Sequence, residues 1–125
     1  MPHVLLVDND SSMRRALTRT LQHAGYDVQA FASAEELLAA GPVDPHACMV
    51  LDLDLPGASG IELKKALNHA GCALPTVFIT ASAREGLAGA LASPSTVAVL
   101  HKPFSNDDLL VALDRAVARN APLGS

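Results

Sequence analysis

Aromatic residues are few in this chain: three phenylalanines, one tyrosine and no tryptophan among 125 residues. A core without large rings must be filled by aliphatic side chains. Half of the residues are apolar, chiefly Ala, Leu and Val, as suits helices packed on a parallel sheet. Cysteine is equally scarce. Cys48 and Cys72 are distant in sequence, have no C-x-x-C spacing and sit in or beside apolar segments, so they read as reduced core thiols. The five histidines (His3, His23, His46, His69, His101) show no H-x-x-x-H spacing. Nothing here points to structural zinc.

Basic residues are also in deficit. Nine Lys and Arg against thirteen Asp and Glu give a formal charge of −4, the wrong sign for a nucleic-acid-binding surface, so any DNA contact belongs to another domain. The longest stretch without a charged residue, Ala66 to Ala83, is broken by Asn68, His69, Gly71 and Pro75 and is no membrane span. Met1 to Val7 has neither a basic n-region nor a cleavage pattern. The expectation is a cytoplasmic domain without direct nucleic-acid or membrane contact. Its length suits one domain with one core.

What the chain does have is alternation of short apolar runs with segments of helical period. His3-Val4-Leu5-Leu6-Val7 reads as a central strand ending at Asp8-Asn9-Asp10. Met13, Leu17, Leu21 and Ala24 then recur at helical spacing, with Asp10 or Ser11 as cap and Gly25 as stop. Tyr26 to Phe31 alternates like an edge strand. Further strands are expected at Ala47 to Leu51, Pro75 to Ile79 and Thr96 to Leu100.

Helices follow four Ser-x-x-acid patterns, at Ser33/Glu36, Ser59/Glu62, Ser82/Glu85 and Ser105/Asp108. The one after Ser82 carries Gly86 and Gly89, each costing roughly 1 kcal/mol relative to Ala, and is expected to be short and easily rearranged. Five β–α units in strict alternation imply an α/β fold with a parallel sheet and right-handed crossovers. Five helices are expected in all.

In such a sheet the strand ends share one edge, where ligands bind. Asp8, Asn9 and Asp10 follow the first strand, Asp52 and Asp54 the third, Thr80 the fourth and Lys102 the fifth. Converging carboxylates raise one another's pKa values unless a cation joins them. Oxygen ligands with open positions suit Mg²⁺, and a lysine with a hydroxyl suits a phosphoryl group.

That order of acid cluster, strand-end Asp, strand-end Thr and Lys102-Pro103 resembles the receiver domains of two-component response regulators, over about residues 3–119. The resemblance implies a single flavodoxin-like, doubly wound domain with sheet order 2-1-3-4-5, spanning residues 1–119, with 120–125 as a tail or linker. It implies Asp52 as phosphoacceptor from a sensor histidine kinase. Mg²⁺ would be held by Asp8, Asn9, Asp52 and the main-chain carbonyl of Asp54, Thr80 and Lys102 would hold the phosphoryl oxygens, and the Lys102–Pro103 bond would be cis. The phrase Phe31-Ala32-Ser33-Ala34-Glu35-Glu36-Leu37-Leu38 is similar to the nitrogen-fixation type of regulator, which usually carries a helix-turn-helix output domain. A phosphorylation-dependent dimer through the fourth helix, fifth strand and last helix is a further implication.

Two positions depart from the pattern. Asn9 stands where a second metal-binding aspartate is usual, and Asp10 or Asp54 is expected to compensate. Val99 stands where the family usually has an aromatic switch residue, so switching would rest on Thr80 and the fourth helix. A phosphorylation-independent interaction module is the alternative these departures suggest. Asp52-x-Asp54 with Thr80 and Lys102 also resembles the haloacid-dehalogenase phosphohydrolases, although there the D-x-D follows the first strand. Arg14, Arg15, Arg19, Arg115 and Arg119 are expected to form solvated faces and i,i+4 pairs.

Overall fold

In the computed structural model, residues 2–54, 60–69, 73–81 and 95–120 are described. Five short strands, β1 (His3–Val7), β2 (Asp27–Phe31), β3 (Cys48–Asp52), β4 (Thr76–Thr80) and β5 (Thr96–His101), form one parallel sheet in the order 2-1-3-4-5. The helices among the described residues are α1 (Ser11–His23), α2 (Ala34–Ala39), α3 (Gly60–His69) and α4 (Asn106–Asn120). The helix expected after Ser82, the Ser59 cap, Cys72 and the tail beyond Asn120 lie outside the described residues.

Every residue of β3 and β4 is buried, which is why these strands read as continuous apolar runs. Alternate side chains feed two cores. Leu5, Met49, Leu51 and Phe78 pack with Leu37 of α2 and with Leu63 and Leu67 of α3 on one face. Val4, Leu6, Val50, Val77 and Ile79 pack with Leu17 and Leu21 of α1 and with Leu109 and Leu113 of α4 on the other. Each fully buried side chain contributes about 1.5–3 kcal/mol. Ala66, although apolar and between the buried Leu63 and Leu67 in sequence, is exposed. A methyl group so small carries little preference for either side.

Local chemistry sets the helix ends. Asp10 accepts from the backbone N–H groups of Ser12 at 2.9 Å and Met13 at 3.2 Å. Ser33 caps α2 through Glu36 N–H at 3.1 Å, and Glu36 reaches back to Ala32 N–H. Ser105 and Asp108 exchange two bonds at the start of α4. Gly25 and Gly41, both with φ of 94°, follow α1 and α2 in the left-handed region where glycine is favoured.

Register then decides what meets at the carboxyl ends. Val7 lies opposite Leu51, so Asp8 and Asp52 follow side by side on neighbouring strands. Asp52 is opposite Ile79, and Thr80 is opposite His101. The Leu53 N–H to Ile79 carbonyl bond (2.9 Å) and the Lys102 N–H to Thr80 carbonyl bond (2.8 Å) extend the pairing one residue past the strands. Strands β1 and β3 are adjacent at the point where the chain reverses direction across the sheet, the place where open α/β sheets form a crevice.

Candidate functional site

Asp8, Asp52 and Thr80 are buried at that edge, although polar, and Lys102 reaches them from the end of β5. Lys102 Nζ is 3.4 Å from Asp52 Oδ2 and 3.7 Å from Asp8 Oδ2. One cation thus faces two carboxylates. The Lys102–Pro103 peptide bond is cis.

Each carboxylate has one oxygen fixed by backbone. Asp8 Oδ1 accepts from the N–H of Asp10 at 2.9 Å, and Asp52 Oδ1 accepts from the N–H of Asp54 at 2.8 Å. Both are side chain to backbone bonds two residues ahead, the local chemistry that lets Asp end a strand. Asp8 Oδ2, by contrast, is buried without a hydrogen-bond partner. Burial pushes the Asp8 carboxyl above the ordinary carboxylate range; the Asp10 N–H opposes that, the Asp52 charge adds to it and Lys102 opposes it.

An orphaned buried carboxylate oxygen beside a second carboxylate is a fit for a cation. All the donors are oxygens, the choice of Mg²⁺ rather than a soft metal. Among the described residues no three His, Cys, Asp or Glu side chains group as metal ligands. A cation here would rest on Asp8 and Asp52, on amide or carbonyl oxygen, and on water. Asn9 is exposed next to Asp8.

The two residues expected to compensate for Asn9 each commit one carboxylate oxygen to a hydrogen bond within the protein. Asp10 Oδ1 caps α1. Asp54 Oδ2 accepts from the Thr80 hydroxyl at 3.1 Å and from the Ala81 N–H at 2.8 Å. That bond across 26 positions of sequence was invisible to local pattern. Arg14 was missed as well: instead of lying on a solvated face, it is half-buried and its Nη1 donates to the Asp8 carbonyl at 2.8 Å. Arg119 Nη1 donates to the Thr96 carbonyl at 3.4 Å. Val99 lies opposite Phe78 in the sheet and packs against the core, where a β-branched side chain has little rotamer freedom.

A flavodoxin-like domain with acids, a hydroxyl and a lysine at its switch point is the class defined so far. The chain belongs to the response regulator receiver domain family, which it matches over residues 4–114. It is 35% identical to the transcriptional regulatory protein TdiR of Thauera aromatica over 94% of this chain and 52% of that protein. It is 34% identical to the response regulator receiver protein CpdR of Brucella abortus over 92% of this chain and 96% of that protein. The crystal structure of FixJ-N superposes with a TM-score of 0.88 at 28% identity, covering 98% of each chain. The chain spans about half the length of the first curated relatives it matches, at 52%, 52% and 58%. The protein is therefore a receiver domain of the two-component response regulators, with relatives among FixJ-type and NtrC-type transcription regulators.

Proposed function

We propose that Asp52 is the phosphoacceptor of this receiver, taking a phosphoryl group from a sensor histidine kinase. The observation that carries the reading is the meeting of Asp8, Asp52 and Lys102 at one strand edge, with Asp8 Oδ2 buried, ion-paired to Lys102 and without a hydrogen-bond partner. Asp52 Oδ2 faces Lys102, while Oδ1 is held by Asp54 N–H, so the carboxylate is fixed in plane before reaction. One carboxylate oxygen attacks phosphorus, the bond from phosphorus to the kinase imidazole breaks, and an acyl phosphate forms on Asp52.

Lys102 pairs with the transferred charge, and the Thr80 hydroxyl and Ala81 N–H supply donors at the same edge. Asp8, Asp52 and the Asp54 main-chain carbonyl would hold Mg²⁺, with Asn9 as a neutral amide in place of a further acid. When bound, the cation neutralises charge on the phosphoryl oxygens.

The domain modifies itself and turns over no external substrate. Its partners in this reading are the kinase and an output domain beyond residues 1–119, DNA-binding as the name of the NtrC relative states, with residues 120–125 as the link. It works in the cytoplasm; among the described residues no helix is long and apolar enough to cross a membrane. A phosphorylation-dependent dimer would use β5, α4 and the helix expected after Ser82.

The test is intact mass after incubation with acetyl phosphate and Mg²⁺. One phosphoryl adduct, absent in Asp52→Asn, is the expected result. No adduct on folded protein in excess Mg²⁺ would shift the assignment to a phosphorylation-independent interaction module. Sustained phosphate release from small esters would point to an enzyme.

A further inference from the structure

Asp54 lies two residues beyond the nucleophile, and its side chain leaves the strand end to reach the neighbouring one. A single oxygen, Oδ2, takes both the Thr80 hydroxyl and the Ala81 N–H. Meanwhile the Asp54 N–H is bonded to Asp52 Oδ1, so the backbone of the same residue is tied to the acceptor carboxylate. Thr80 is fully buried, whereas Asp54 is exposed, so of the two partners only Asp54 is free to turn outward.

We propose that the Asp54 carboxylate is an internal stand-in for the phosphoryl group, a latch that holds the Thr80 and Ala81 donors until a phosphoryl group on Asp52 displaces it. This rests on the reading of Asp52 as phosphoacceptor. A phosphoryl group on Asp52 brings three anionic oxygens to the edge where these two donors point. One N–H cannot serve two anions at full strength, and a carboxylate beside a phosphoryl dianion is repelled.

The two occupants therefore exclude each other. In this scheme the Thr80 and Ala81 donors stay at the strand end, and the moving part is Asp54. That answers how a signal leaves a site whose Val99 has no aromatic ring to swing. On phosphorylation a carboxylate is released to the surface next to the strand end, and on dephosphorylation it returns.

Asp54 is a positioning residue in this scheme, acting through Thr80 and Ala81. The test uses ¹⁵N-labelled protein titrated with beryllofluoride in Mg²⁺, comparing wild type, Asp54→Ala and Asp54→Asn. The expected result is an Ala81 amide proton shifted upfield in Asp54→Ala and restored downfield by beryllofluoride. Beryllofluoride affinity should rise roughly tenfold in Asp54→Ala, the factor equivalent to about 1.4 kcal/mol. Asp54→Asn, which keeps a neutral acceptor, should gain only part of this.

Uptake by wild type with unchanged affinity in Asp54→Ala, or an unmoved Ala81 amide, would overturn the latch alone. A full gain in Asp54→Asn would reduce the effect to charge repulsion and overturn it likewise. Failure of all three proteins to take beryllofluoride would overturn the phosphoacceptor reading, and the latch with it.

Discussion

Replacing Asp8 by Asn should stabilise the protein in the absence of Mg²⁺. The buried Oδ2, without a hydrogen-bond partner, carries a desolvation penalty of about 1–3 kcal/mol. Its attraction to Lys102 at 3.7 Å amounts to about 4–5 kcal/mol at an effective dielectric near 20. Repulsion from Asp52 opposes that attraction and outranks it among the influences on the Asp8 carboxyl, and Lys102 keeps Asp52 as partner in the variant. The amide retains an acceptor for the Asp10 N–H and gains a donor toward Asp52. The net expectation is a gain of about 1–2 kcal/mol, read as a melting temperature higher by about 4 °C per kcal/mol.

The pH dependence has a definite sign. Asp8 is raised in the folded state, so its protonated form favours folding; that contribution is complete below the ordinary value of 3.8 and is lost as pH rises through the raised folded-state value. Wild type in EDTA should therefore fall behind Asp8→Asn across that window. Adding Mg²⁺ at a hundredfold its dissociation constant should return about 2.7 kcal/mol to wild type and close to nothing to Asp8→Asn. Thermal and urea denaturation with EDTA or Mg²⁺ measure all three quantities. An Asp8→Asn protein less stable than wild type in EDTA at neutral pH, or equally responsive to Mg²⁺, would refute the reasoning.

Asp10→Ala should lose about 1 kcal/mol through the α1 cap and keep the Mg²⁺ response in the same denaturation assay; loss of that response would make Asp10 a ligand. The Tyr26 phenol, pushed up to about 12 by burial first and then by its 3.1 Å bond to Asp114, should titrate lower in Asp114→Ala yet still above 10.0, followed by phenolate absorbance. A drop to 10.0 would put the shift on Asp114 instead of burial. Because the folded value is raised, Tyr26 contributes stability below 10.0 that disappears as pH rises through about 12.

Much of this architecture was legible in the chain. Period and punctuation located β1 through β5 to within a residue or so: the buried β1, β3 and β4 are apolar on both faces and stop at a polar residue, β5 is a short apolar run, and β2 shows the alternation of an edge strand. Ser33 and Ser105 announced α2 and α4 by bonds that span only three residues. The strand order came from family resemblance, since alternation alone implies a parallel sheet without saying which strands are neighbours.

The sequence by itself determined which residues stand at strand ends: Asp8, Asp52, Thr80 and Lys102 follow apolar runs whatever the order of the sheet. Only the tertiary structure decided their partners. The orphaned oxygen of Asp8, the bond from Arg14 to the Asp8 carbonyl and the grip of Asp54 on Thr80 and Ala81 all depend on register and on how a helix seats against the strand ends. Local pattern encodes which groups are polar and where the chain turns. Which distant donor an oxygen meets is fixed by packing of the whole sheet, and no window of sequence contains that.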